Sequence, residues 1–313
     1  MSELAVLALV GDMLVRATPL ILTGLAVAFA FQAGILNIGA EGQLLIGATC
    51  SAAITLQFGE TLGGSIIIVS LIGGSLAGAG WAAIAAELRA RFHVLEVIST
   101  IMLNFIALYI VSFLVRGPLQ EPTHIYPQTE TMPLYARLPT ILPGTRLHAG
   151  FVLAVLAGVT GWWILQHSAA GFRLRAAGKN SSAARIAGQI DVGRTTRNVF
   201  LVSGALAGLA GAVEIHGVTF ALYENLSPGY GYTAIAVALL ASLNPLLVIV
   251  TGLFFGVLEA GANALQRDAG IPSTIASVIE ALIILAVLAV ESIRNLHAPQ
   301  PGSPSDTPIA DLT

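Results

Sequence analysis

Ionisable and amide side chains set inside long apolar runs are where this sequence could do chemistry, because an ionisable group at the centre of a bilayer costs about 2.5 to 3.5 kcal/mol and normally turns inward. Three groups stand out. The run GILNIGAEGQLLIGA, residues 34 to 48, sets Asn37, Glu41 and Gln43 among glycines that break a helix and expose its backbone. The run EVISTIMLNFIALY carries Glu96 and Asn104, and the C-terminal half holds Glu214, His216, Glu259, Asn263 and Glu280. Groups of this kind can hydrogen-bond a polar solute or relay a proton. The plainer role is capping or snorkelling near a helix end, which weighs as heavily for each carboxylate. Asn37, Glu41 and Asn104 have apolar neighbours on both sides and are the stronger pathway candidates. Gln43 and Glu96 complete the set. His216, beside Gly217 near an outer end, reads as a satisfied interfacial histidine before it reads as a proton relay.

The elements that must position these groups are membrane helices. Of the 313 residues, 56% are hydrophobic and 10% charged, against about 25% charged in a soluble domain. Mean hydropathy is +0.84. The length accommodates about eight to ten spans of roughly 20 residues. The reading is an all-α polytopic membrane protein, a compact bundle that includes re-entrant or half-helices. Apolar segments fall near 4–15, 17–33, 35–56, 62–86, 94–115, 148–167, 199–221, 231–243, 246–265 and 273–293. The first is short and broken by Asp12, so it is expected to lie at the interface. The segment 231–243 is too short to cross and ends at Asn244-Pro245, which predicts a half-helix buried by protein.

Orientation comes from the stretch 172–198, where Arg173, Arg175, Lys179, Arg185, Arg194 and Arg197 face a single acid, Asp191. Basic surplus collects in cytoplasmic loops. Counting spans outward, 116–147 becomes an external loop able to face an extracytoplasmic partner, and Arg89 and Arg91 fall on the cytoplasmic side. External Arg116, Arg137 and Arg146 weaken the bias. The domain runs over 1–294, and the polar, Pro-rich tail 295–313 is expected to be disordered and cytoplasmic. Glycines four apart, at 74 and 78, 204 and 208, and 252 and 256, predict close packing within one bundle. A net charge of −3 gives no reason to expect nucleic acid, and the single Cys50 allows neither a disulfide framework nor a thiolate metal site. AAGKNSS, residues 176–182, imitates the end of a phosphate loop, yet Arg173 and Asn180 stand where that motif needs Gly and Ser or Thr. No nucleophile or metal pattern is present either, so no catalytic residue and no bound cofactor or metal are expected in this chain.

GILNIGAEGQLLIGA, FHVLEVISTIMLNFIALYIVSFLVRGPLQEP (92–122), GKNSSAARIAG (178–188) and SGALAGLAGAVE (203–214) together resemble permease subunits of ABC importers of the branched-chain amino acid and simple-sugar superfamily, nearest its nucleoside and simple-sugar branch. The resemblance runs to about residue 293. It implies that Gly178, Asn180, Ala183, Ala184 and Gly188 form a coupling helix for the ATPase, with a departure at Gln189, where a hydrophobic residue is usual. It further implies uptake of a nucleoside or related sugar-containing solute and no enzyme activity of the chain's own. The implied partners are a second, different permease, a cytoplasmic ABC ATPase carrying ATP and magnesium, and an extracytoplasmic binding protein, at a bacterial inner membrane. A branched-chain amino acid permease and an ion-coupled secondary transporter using Glu41, Glu96 or Glu280 are the rival readings.

Overall fold

The computed structural model describes residues 3–269 apart from Gln189, with scattered positions between 274 and 289. The expected segment 273–293, Glu280 and the tail 295–313 therefore lie outside the fully described residues, as does Gln189. The described helices are α1 (Glu3–Gln32), α2 (Ala40–Leu62), α3 (Ile66–Phe92), α4 (Glu96–Val115), α5 (Gly150–His167), α6 (Ala169–Lys179), α7 (Ser181–Ala187), α8 (Val192–Glu214), α9 (Tyr230–Leu240) and α10 (Pro245–Ala269). No strand occurs among the described residues. Six helical runs are long and apolar enough to cross a membrane, and one of them, Ala40–Phe92, folds back at a 3-10 turn, Gly63–Ser65, into α2 and α3. The protein is a multi-pass, all-α membrane protein.

Burial sorts these helices into a centre and a wrapping. The best spanning window of α1 is 83% buried and that of α8 is 72% buried, against 28–33% for α4 and α5. A helix apolar on every side belongs inside a bundle or in lipid, and α1, α2 and α8 take the inside. Small residues let them approach. A Cβ on Gly208 would stand 2.3 Å from the Gly74 carbonyl oxygen and 2.9 Å from the Gly78 Cα. One on Gly47 would stand 2.4 Å from the Gly208 Cα, and one on Gly211 would stand 2.0 Å from the Leu44 carbonyl oxygen. The glycine pairs of α3 and α8 thus face each other directly. Gly252 and Gly256 instead face Ile21 and Ala17 of α1.

The N-terminus departs from expectation. Segments 4–15 and 17–33 form one continuous helix, α1, with no interfacial break at Asp12. The charge is compensated within the helix: Asp12 lies 3.4 Å from Arg16 one turn on, and Glu259 of α10 reaches Arg16 at 3.9 Å. Pro19 sits inside α1, and the Thr18 and Thr23 hydroxyls donate to the carbonyls of Leu14 and Pro19 around it. The expected half-helix is α9, 11 residues long, whose Ala234, Val237 and Ala238 are fully buried.

Candidate functional site

Between α1 and α2 the chain leaves the helix for residues 33–39. Gly34 turns it with φ +72°, and the Gly34 and Ile35 N–H groups donate to the carbonyls of Phe31 and Ala30. The return leg brings Asn37 back into the bundle. Its Nδ2 donates to Gln43 Oε1 at 3.3 Å and to Ser203 Oγ of α8 at 2.9 Å. Gln43 Nε2 donates back to Asn37 Oδ1 at 3.2 Å, which also accepts the Gly39 N–H at 2.9 Å. The Ser203 hydroxyl in turn donates to the carbonyl of Ala26 in α1 at 2.7 Å. Both amides are buried and paired, so this cluster ties α1, α2 and α8 together where α2 begins.

Asn104 of α4 serves the same start. Its Oδ1 accepts the Gly42 N–H at 2.8 Å, satisfying one of the donors that a helix N-terminus leaves unpaired. Its Nδ2 donates to the Ile38 carbonyl at 2.9 Å and to Tyr232 Oη at 3.3 Å. Glu41 reaches the other helix start: its Oε2 accepts the Gly231 N–H of α9 at 2.7 Å, and the Ser227 hydroxyl bonds the same carboxylate. The two N-termini touch, since a Cβ on Gly231 would lie 2.2 Å from the Glu41 nitrogen. Helix starts carry partial positive charge, and Glu41 is the acidic side chain placed between two of them. Four of the five sequence candidates, Asn37, Glu41, Gln43 and Asn104, therefore share one polar knot. Glu96 stands apart, about 12 Å down α4 from Asn104 at 1.5 Å per residue, where it lies in the first turn of the helix and pairs with Arg89 at 3.1 Å.

The C-terminal candidates separate into two places. His216 is fully buried, donating from Nδ1 to the Ala136 carbonyl at 2.6 Å and accepting at Nε2 from Ser51 at 2.9 Å. It pins the loop after α4 to the bundle core. Glu214, Asp12, Arg16, Arg146 and Tyr230 line a small cavity of about 40 Å³, and Asn263 donates along its own helix to the Glu259 carbonyl. The same loop is clamped by Arg116, whose guanidinium meets Glu224 at 2.7 and 2.9 Å while Ser112 also bonds that carboxylate. These partners hold the Glu224 carboxyl down at about 2.

His148 closes the loop. Its Nδ1 accepts the Gly150 N–H at 3.2 Å, and its ring lies on Gly217 in the π-helical turn Ile215–Thr219 that follows α8. Burial, with Arg146 adding, pushes its pKa from 6.5 down to about 4. The folded state then binds fewer protons than the unfolded state between those values. Its contribution is full above pH about 6.5 and is lost as pH falls toward 4, by about 3 kcal/mol at most. Thermal melting between pH 7.5 and 4.5 should show that loss, and His148→Phe should flatten it.

The basic segment 172–198 is mostly helical: α6, α7 and the first turns of α8. Gly178 faces inward, where a Cβ would lie 2.0 Å from the Gln32 carbonyl at the end of α1. Asn180 caps α7 by accepting the Ala183 N–H at 2.9 Å, and the Gly188 N–H closes it on the Ala184 carbonyl at 3.2 Å. Ala184 is 6% exposed, whereas Ser181, Ser182, Ala183 and Arg185 are exposed and Ile186 is 82% exposed. An isoleucine that open on a seven-residue helix is the outward feature of this segment, and no motif points to it. Ser203, Ser227 and Tyr232 also escape a reading by sequence, because a hydroxyl beside a helix start shows no period of its own.

A family model described as branched-chain amino acid transport system / permease component matches residues 9–288. A glucose ABC transporter permease protein of Haloferax volcanii is 38% identical over 91% of this chain and 77% of its own length. A guanosine ABC transporter permease protein of Bacillus subtilis is 38% identical over 91% of this chain and 82% of its own. A nucleoside ABC transporter permease protein of Lactococcus lactis is 33% identical over 93% and 82%. No solved structure matches the chain.

Proposed function

The chain belongs to the permease-component family of branched-chain amino acid transport systems, and from that premise we propose that it forms half of the pathway for inward, ATP-driven movement of a nucleoside or related sugar-containing solute. The supporting relatives are named for guanosine, nucleosides and glucose, solutes whose ring hydroxyls and amides suit uncharged partners. A second, different permease supplies the other half. An extracytoplasmic binding protein delivers the solute to the side of the loop 116–147, and a separate ATPase holds the ATP and magnesium on the cytoplasmic side of an inner membrane. The segment 172–198 transmits the ATPase movement through α7. Gly178 sets α6 against the end of α1, so a push on α7 is passed to the chain break beside Asn37 and Glu41.

The observation that carries this reading is the exposed α7, a short helix with its apolar residue turned outward and basic residues beside it. Uptake of labelled guanosine, glucose and leucine by sealed vesicles, with and without ATP, tests it. ATP-dependent guanosine uptake supports the reading, and uptake driven only by a proton gradient overturns it. At the polar knot, Tyr232 is the member that opens outward, 43% exposed with its hydroxyl on Asn104. Its ring face offers a base a stacking surface worth about 1–3 kcal/mol. Tyr232→Ala should therefore lower nucleoside uptake about tenfold in transport assays, with Tyr232→Phe much closer to the parent.

A further inference from the structure

We propose that the chain holds one anionic phospholipid of the cytoplasmic leaflet in a slot between α5, α6 and α8, an inference that rests on the cytoplasmic placement of the basic segment. The slot has two parts. Its deep part, about 300 Å³, is walled by Phe29, Gly161, Leu165, Val202 and Leu206 and is mostly apolar. Beside it lies a basin of about 660 Å³ lined by residues that include Arg194, Gly188 and Asp191. Arg173, Thr195 and Asn198 border both, so one molecule can span the two.

Each part fits one part of a phospholipid. Along α8 the wall runs from Thr195 to Leu206, about 16 Å at 1.5 Å per residue, which seats a long stretch of one acyl chain. The water interface is marked independently by Trp162, Trp163 and His167 at the end of α5, where Trp163 stacks on His167 with centroids 6.1 Å apart. Such aromatic groups gather at headgroup level. Ile164 and Leu165 of the slot lie among them in sequence, which puts the apolar depth in the hydrocarbon and the arginines beside the headgroups. Arg173 and Arg194 outnumber Asp191, whose carboxylate is engaged in capping α8 through the Arg194 N–H at 2.9 Å. A basic pocket between helices at the cytoplasmic side favours an anionic headgroup. Because α5 and α6 lead into α7, the bound lipid braces the segment that moves.

The test is native mass spectrometry of the transporter purified with its partner subunits from membranes containing phosphatidylglycerol and phosphatidylethanolamine. One phosphatidylglycerol should be retained per copy of this chain. Arg173→Gln with Arg194→Gln should reduce retention at least tenfold, and Val202→Trp, which fills the slot from a half-exposed position, should do the same. Arg197→Gln, which removes a charge paired with Glu87 at 3.5 Å and outside the slot, should leave retention unchanged. Equal loss in R197Q, undiminished retention in the double variant, or retention of phosphatidylethanolamine in equal amount overturns the proposal. So does release of a partner subunit by V202W with the lipid still bound. Retention needs neither ATP nor sidedness, whereas outside labelling of the α7 region would overturn the orientation instead.

Discussion

A single methyl group at Gly208 is expected to remove most of the folded protein. The added Cβ would stand 2.3 Å from the Gly74 carbonyl oxygen and 2.9–3.0 Å from the Gly78 Cα and nitrogen. All three are backbone atoms, so no side chain can rotate away and α3 must move as a body. The same position contacts Gly47 of α2, which spreads the displacement to a third helix. Overpacking a core typically costs 1–3 kcal/mol, and backbone contact on two sides places Gly208→Ala at or above the top of that range. Gly80→Ala is the control. Nothing lies within 4 Å of a Cβ there, and alanine is the better helix former by about 1 kcal/mol. Yield and melting temperature in detergent should therefore fall steeply for G208A and hold or rise for G80A. Equal behaviour of the two would mean that α2, α3 and α8 do not pack through their glycines.

Half of the glycine seam is legible in the sequence. A spacing of four puts Gly74 and Gly78, or Gly204 and Gly208, on one helix face, and that much needs only the helical period. The period does not say which faces meet, and Gly47 and Gly211 belong to no such pair, so their part in the seam has no sequence signal. Membrane class, the half-helix α9 and the long crossings are likewise readable from hydropathy and length. Asp12 misleads because a charge inside an apolar run looks like an end, yet Arg16 one turn on compensates it within the helix, and Arg16 also meets Glu259 of α10.

The polar knot shows the same limit. Residue type and apolar flanks single out Asn37, Glu41 and Asn104, with Gln43 and Glu96 completing the set, and the first four of these gather at one place. Their partners are another matter: Asn104 answers to a backbone N–H 62 positions earlier and Glu41 to one 190 positions later. Such pairings exist only after two helix starts converge. Glu96 belongs to the same set of candidates, yet it sits one residue past Leu95 at the beginning of α4, where a carboxylate serves the helix end.

Ile186→Asp is expected to abolish ATP-driven uptake, about 30-fold or more, while leaving membrane level and melting temperature unchanged. The residue is 82% exposed on α7, so its replacement removes no internal packing. If α7 seats in an ATPase cleft, an apolar anchor at its tip is the kind of group whose loss costs about 2 kcal/mol or more, and a carboxylate adds the cost of a buried unpaired charge. Ile186→Leu should keep most of the uptake, because it keeps the apolar volume. Ala184 makes a poorer probe: at 6% exposure a bulky charge there would disturb α7 itself and confuse misfolding with uncoupling. ATPase activity of the assembled complex separates the outcomes. Hydrolysis that continues in I186D without uptake places the break at the joint between engine and pathway. Uptake within twofold of the parent would show that force enters the bundle elsewhere, and the role given to segment 172–198 would fall with it.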